Sequence, residues 1–241
     1  MNLVIDKGNT HTKVGLFEND AIYKTFVFEN TDDNSILSIF SEEKIENAIY
    51  SSVTNDSCSL IVQLREKVEK FVFLSSITPL PIKNLYCTPK TLGPDRIAVA
   101  VAADMLSPLG APSLVIDAGT AVTYEFVSAD SEYMGGNIAP GLSMRFKALN
   151  HFTKKLPLVS CRENFEPVGR DTENAILAGV VEGMLFEMEG YIEKYTQQNP
   201  NLCVFLTGGD AFFFEKRLKN RIFANENLLL IGLNRILNYN V

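Results

Sequence analysis

The chain has 241 residues, of which 46% are hydrophobic and 21% charged, and its formal net charge is −7. That length supports one large domain or two small ones with a real core, and the composition is that of a folded, soluble protein. The acidic balance speaks against a nucleic-acid binder, which normally shows a basic patch, and no apolar run approaches the length that spans a bilayer.

The first stretch, Leu3-Val4-Ile5, reads as a buried strand that Asp6 closes with a carboxylate. Gly8 lets the backbone turn tightly, Asn9 and Thr10 offer short donors to phosphate oxygens, and Lys13 adds a positive charge. Lys13 to Phe17 then returns as the second strand of a hairpin, and Ala21 to Phe28 alternates as a third. Thr31-Asp32-Asp33-Asn34 is turn chemistry and a helix start, with a short helix over Ile36 to Phe40. Asn47 to Val53 predicts a strand, Ser57 to Lys70 a helix, and Phe71 to Leu74 a further strand. The order suggests a mixed sheet covered by helices.

Pro79, Pro81, Pro89 and Pro94 predict an irregular segment over residues 79–94, with Tyr86 inside it. Segments of that length in a compact domain are usually functional or disordered. Asp95 to Ala103 reads as a helix that is apolar nearly all round, hence buried, so its first residues sit on a rigid element.

At Ser113 the opening pattern returns as Leu114-Val115-Ile116-Asp117-Ala118-Gly119-Thr120, with Thr123 to Val127 as the returning strand. The matched Asp-x-Gly at the head of each half predicts a duplication with boundaries 1–112 and 113–241. In that reading two acidic hairpins face one another across a cleft that holds nucleotide phosphates. The alternative is a pair of ordinary hairpins. Gly135-Gly136-Asn137-Ile138-Ala139-Pro140-Gly141 is either a surface loop or backbone that approaches a ligand closely. Leu142 to His151 reads as a helix, and Arg145, Lys147, Lys154 and Lys155 form a basic cluster best explained as a solvated face. A long amphipathic helix follows from about Glu173 to about Tyr195, with Gly179 and Gly183 one turn apart, where another helix can come close. Leu202 to Leu206 is a strand running into Thr207-Gly208-Gly209-Asp210, with a helix from Ala211. That junction is either a nucleotide seat at a helix amino terminus or a plain turn capped by Asp210.

Cys58, Cys87, Cys161 and Cys203 show no paired spacing, and with only His11 and His151 available they speak against a zinc site and for a reducing compartment. The amino terminus shows no basic region followed by an apolar stretch, so the expected location is the cytoplasm.

Five motifs stand in order between Asp6 and Gly209: Asp6-Lys7-Gly8-Asn9-Thr10, Gly93-Pro94-Asp95-Arg96, Asp117-Ala118-Gly119-Thr120, the glycine-rich run 135–141, and Thr207-Gly208-Gly209. Together they resemble the type III pantothenate kinases, a family of the sugar-kinase and actin superfamily. The resemblance implies an α/β fold of two duplicated ribonuclease-H-like halves, as in actin-like ATPases, with mixed sheets flanked by helices and an interdomain cleft. It also implies ATP-dependent phosphorylation of pantothenate to 4'-phosphopantothenate, the first step of coenzyme A biosynthesis, by a cytoplasmic homodimer that needs neither nucleic acid nor membrane.

By the same resemblance the first hairpin, Asp6, Lys7, Gly8, Asn9, Thr10, His11, Thr12 and Lys13, binds the ATP phosphates, with Asp6 holding Mg2+ directly or through water. Thr120 donates to phosphate from the second hairpin, and Asp117 helps hold a monovalent cation, K+ or NH4+. Asp95 takes the proton of the pantothenate hydroxyl; a helix amino terminus favours its ionised form, and the alternative is a plain helix cap. Arg96 neutralises either the pantothenate carboxylate or a transferring phosphate, with a surface ion pair as its alternative. Tyr86, Gly93, Pro94 and Thr172 line the pantothenate pocket, unless Tyr86 is only a packing aromatic and Thr172 only the cap of the long helix. Lys7, His11 and Thr12 depart from the apolar or small residues expected there, and Lys7 is expected to point away from the buried face. A kinase for another small metabolite, or a nucleotide-binding regulator without turnover, would use the same scaffold. Asp95 discriminates, because a regulator needs no carboxylate beside an acceptor hydroxyl.

Overall fold

The computed structural model describes residues 1–9, 11–29, 33–53 and 58–241, and its first strand, β1 (Asn2–Lys7), is buried from end to end. Neighbouring strands on both edges and helices over both faces cause this. β2 (His11–Glu18) runs antiparallel along one side of β1 and β4 (Asn47–Ser52) parallel along the other. With β3 (Ala21–Glu29) and β5 (Lys70–Phe73) outside them, the sheet order among the described residues is β3-β2-β1-β4-β5.

Alternation along β1 sorts its side chains. Leu3 and Ile5 join Ile36 and Ile39 of α1 (Asp33–Glu42) and Leu60 and Leu64 of α2 (Cys58–Lys67) in one core. Asn2, Val4 and Asp6 belong to the opposite face. There Gly15, the register partner of Val4, meets Leu230 of α7 (Leu228–Tyr239). Asn2 donates to Asn234 (2.9 Å) and Asn238 (2.7 Å) of the same helix. α7 in turn packs on α3 (Pro94–Leu106), whose residues 96–103 are all buried.

Contacts divide the chain into two units. One comprises Met1–Leu106, Ser131–Met134 and Asn227–Val241, the other Ser107–Asp130 and Gly135–Glu226. In the second unit β7 (Ser113–Ala118) repeats the plan of β1. It is antiparallel to β8 (Ala121–Val127) and parallel to β10 (Cys203–Thr207), with β9 (Glu132–Pro140) beyond β8 and β11 (Phe223–Ala224) beyond β10. Leu114, Ile116 and Ala118 share a core with Leu142 and Phe146 of α4 (Leu142–Phe152) and Leu177, Val181 and Met188 of α5 (Thr172–Gln198). Asp117 therefore lies on the face away from those helices, as Asp6 lies away from α1 and α2.

Several expectations change. Residues 79–94 are not wholly irregular. β6 (Lys83–Asn84) pairs with Glu132 and Tyr133, and Pro89–Thr91 makes one 3-10 turn. Prolines forbid long elements but not a two-residue bridge. The glycine-rich run is strand rather than loop through Pro140. Gly136 lies so close on β8 that a side chain there would strike the Tyr124 carbonyl and the Glu125 carboxylate. The helix from Ala211 is a single turn, α6 (Ala211–Glu215), and Asp210 makes no side-chain cap bond to it. The turn 31–32 and the start of the helix expected at Ser57 lie outside the described residues. No described helix is long and apolar enough to cross a membrane.

The α3–α7 crossing depends on one glycine: a Cβ on Gly232 would run into the Ala98 carbonyl. Gly232→Ala is expected to cost roughly 1–3 kcal/mol by overpacking. Chemical denaturation checks this, and an unchanged midpoint would contradict it.

Candidate functional site

In the first unit the site begins where β1 ends. The β1–β2 register sets Lys13 opposite Asp6, and β4 brings Ser51 alongside. Ser51 Oγ donates to Asp6 Oδ1 at 3.3 Å, and Asp6 is buried, at 8% exposure. Gly8 N donates to the His11 carbonyl at 3.1 Å and closes the turn. Asn9 and His11 are exposed, Thr12 is buried, and Thr10 lies outside the described residues. Lys7 does not point away from the buried face. It is 8% exposed, because alternation puts it on the side of Leu3 and Ile5, at the register position that Ala118 takes in β7.

Asp95 stands in the first turn of α3, directly after Pro94. Its Oδ1 accepts from Arg96 N at 2.9 Å and curls back over Gly93, where a side chain would collide with it. Arg96 is not a surface residue; it is 6% exposed and lays its guanidinium over the Tyr86 ring at 5.4 Å. Tyr86 packs in turn on Tyr133, with centroids 6.2 Å apart. A cationic group over a ring in a dry setting contributes about 0.5–2 kcal/mol. A cavity of about 300 Å3 has Ser52, at the end of β4, and Pro94 and Ile97 of α3 in its walls. The amino end of α3 is therefore at the same end of this sheet as Asp6. Among the sequence-predicted residues, this unit joins Asp6 to Lys13, and Asp95 to Gly93, Pro94, Arg96 and Tyr86.

In the second unit the turn after β7 is built by glycines. Gly119 N donates to the Ala121 carbonyl at 3.1 Å. Gly208 takes φ +96, open to glycine without strain. A side chain there would strike Asp117 Oδ1 and the Ala118 carbonyl. Gly141, the residue before α4, lies against the carbonyls of Gly119 and Thr120 just as tightly. Thr120 is exposed, and Asp117 is half-buried with Thr207 as its register partner on β10.

The sequence model of the family described as type III pantothenate kinase matches residues 2–194. The chain belongs to the type III pantothenate kinase family. A type III pantothenate kinase of Phocaeicola vulgatus is 48% identical over 100% of this chain and 99% of its own length. One of Bacteroides fragilis is 47% identical over 100% and 98%. Among solved structures, a glucokinase from an Antarctic psychrotroph aligns with 99% of this chain and 98% of its own, with a TM-score of 0.55 and 12% identity. That likeness bears on the fold alone, and the two sheets flanked by helices agree with it.

Within this family member, Thr172 is not the cap of the long helix. It is the first helical residue of α5, and Asp171 before it accepts from Asn174 N at 2.9 Å. That bond, with a second from the Asn174 side chain, holds the Asp171 carboxyl below its usual range. Of the basic cluster, Lys147, Lys154 and Lys155 are exposed as expected, whereas Arg145 is only partly exposed, its guanidinium meeting Glu187 at 2.7 Å and the Pro140 carbonyl at 2.8 Å. Sequence alone gives Ser51 no role and places Thr207, Gly208 and Gly141 only within short motifs; the parallel neighbour strands and the Cβ-free approaches show what each packs against.

Asp210 lines a cavity of about 280 Å3 with Ser143, Lys147 and Cys161. Burial pushes its carboxyl above the ordinary range. A raised carboxyl favours the folded state while protonated and loses that contribution as pH rises through its folded value. Asp210→Asn is therefore expected to raise the melting temperature at pH 7–8, with the gain vanishing at pH values below the ordinary carboxylate range. A gain independent of pH would contradict the assignment.

Proposed function

We propose that this chain transfers a phosphoryl group from ATP to the terminal hydroxyl of pantothenate, the reaction its family is named for. Membership of the family supports ATP as donor. The observation that carries the acceptor half is Asp95, whose carboxylate is held on the first turn of a buried helix beside a buried Arg96 and the Tyr86 ring. Phosphoryl transfer asks for positioning, charge neutralisation and a proton acceptor. Asp95 accepts the proton of the pantothenate hydroxyl, Arg96 neutralises the pantothenate carboxylate, and Tyr86 and Gly93 shape the space around it.

The hairpin residues, Asp6 to Lys13 and Thr120, hold the ATP phosphates. Asp6 with the Ser51 hydroxyl is an oxygen donor set of the kind Mg2+ takes, and Asp117 with the Ala118 carbonyl is one that suits K+ or NH4+. When bound, these ions supply positive charge against the phosphate oxygens. Homodimer formation belongs to the same proposal. A Cβ on Gly179, Gly183 or Gly190 of α5 would meet no described atom within 4 Å, so that face is open to a second copy. Thr172 is exposed at the head of the same helix, where it would serve the pantothenate of the neighbouring subunit.

A coupled ADP-release assay with ATP, Mg2+ and K+ tests the reading: ADP release that requires pantothenate supports it, and release unaffected by pantothenate overturns it. In that assay Asp95→Asn is expected to lower kcat by roughly 10²–10⁴-fold, the usual range for loss of a general base, with KM changed much less. A normal kcat with a lower melting temperature would make Asp95 a structural residue instead.

The charge of two carboxylates and a polyphosphate also predicts a dependence on K+ or NH4+, with Na+ a poor substitute. Equal rates in the three chlorides at matched ionic strength would remove Asp117 from the cation site.

A further inference from the structure

Tyr124 is 1% exposed, and a buried phenol needs an acceptor. Its hydroxyl donates to Glu187 Oε1 of α5 at 2.8 Å. The other oxygen of Glu187 takes Nη2 of Arg145 at 2.7 Å. Arg145 uses its Nε as well, donating to the Pro140 carbonyl at 2.8 Å, and its backbone N–H to the Gly141 carbonyl at 3.0 Å. Gly141 presses on the carbonyls of Gly119 and Thr120 with no room for a side chain. Tyr124 itself sits on β8, opposite Ile116 of β7.

The contacts form a closed circuit. It leaves the second hairpin through Tyr124, crosses to α5 at Glu187, passes to α4 at Arg145, and returns through Pro140 and Gly141 to the turn of the hairpin. We propose that Glu187 and Arg145, anchored by Tyr124, are positioning residues that hold the Gly119–Thr120 turn in the form that receives an ATP phosphate. This rests on the phosphotransferase reading above. The chemistry suits the task. Arg145 and Glu187 are only about one-fifth to one-quarter exposed (21% and 27%), so water screens their pairing little. The guanidinium fork also reaches a carboxylate and a carbonyl at once, which a lysine ammonium on its flexible stem does not do in fixed geometry. Burial and the Glu187 hydrogen bond raise the Tyr124 phenol above its usual range, so it remains a neutral donor. Its ring is clamped as well, stacked on Tyr191 of α5 at 3.9 Å.

The test uses the full chain with Arg145→Lys, Arg145→Gln, Glu187→Gln and the double variant Arg145→Gln with Glu187→Gln. Wild type is first assayed for pantothenate-dependent ADP release and for MgATP binding by calorimetry. The brace predicts that KM for ATP rises roughly 10-fold in each variant, within the loss that small misplacements cause, while KM for pantothenate stays within about twofold. It also predicts faster amide hydrogen exchange over residues 119–121 in the nucleotide-free protein, and a double variant little worse than either single one, as members of one network should behave. A role confined to stability would move the melting temperature without splitting the two KM values. If Glu187→Gln does not fold, Arg145→Lys carries both readouts. Unchanged KM for ATP and unchanged exchange in folded variants overturn the brace. Failure of wild type to bind MgATP or respond to pantothenate overturns instead the reading beneath it, and the brace as a phosphate-positioning device with it.

Discussion

A strand hydrogen-bonded on both edges and buried along its length holds a carboxylate at least cost at its end. β1 and β7 are such strands, and each ends in Asp-x-Gly. In both units the parallel neighbour supplies a hydroxyl residue at the level of the carboxylate, Ser51 beside Asp6 and Thr207 beside Asp117. In both, the glycine after the aspartate closes the turn through its N–H. The rest of each unit maintains that strand end. Helices fill the face that holds Leu3 and Ile5 in one unit and Leu114 and Ile116 in the other, which leaves the aspartate on the opposite face.

The two units then support their turns by different means. In the first, rigidity comes from a buried helix. α3 is locked against α7 at Gly232, and so the residues of its first turn, Asp95 and Arg96, are carried on an element that cannot shift without disturbing the core. In the second, rigidity comes from backbone brought against backbone. Gly141 and Gly208 approach the hairpin where any side chain would collide, and the Tyr124–Glu187–Arg145 network fixes the segment that carries Gly141. Positioning of this kind is what phosphoryl transfer needs most from a protein, since the covalent demands on it are small.

The duplication was legible because the signal is a local one: an apolar run, a carboxylate and a glycine, written twice, with strand pairing that follows from the hairpins. The helices at Asp95 and Glu173 were legible from their apolar periodicity, and the order of short motifs identified the family. Other features depend on what lies across the fold. Glycines and a proline at 135–141 suggest a loop, yet residues 135–140 are strand, and Gly136 admits a close approach of β8 that a larger residue would prevent. Lys7 looks like a surface charge until alternation is counted from Leu3, and Arg145 looks like one until α5 brings Glu187 to it. The cap of α5 falls on Asp171 rather than Thr172, a displacement of one residue that composition alone does not resolve, since both types cap well.

Phosphorus NMR of the chain incubated with ATP, Mg2+, K+ and pantothenate tests the central claim most directly. The account predicts that the γ-phosphate resonance of ATP declines while a phosphomonoester resonance grows in step with it, coupled to the methylene protons of the terminal carbon of pantothenate. Release of inorganic phosphate without that ester, or an unchanged ATP spectrum, would contradict it.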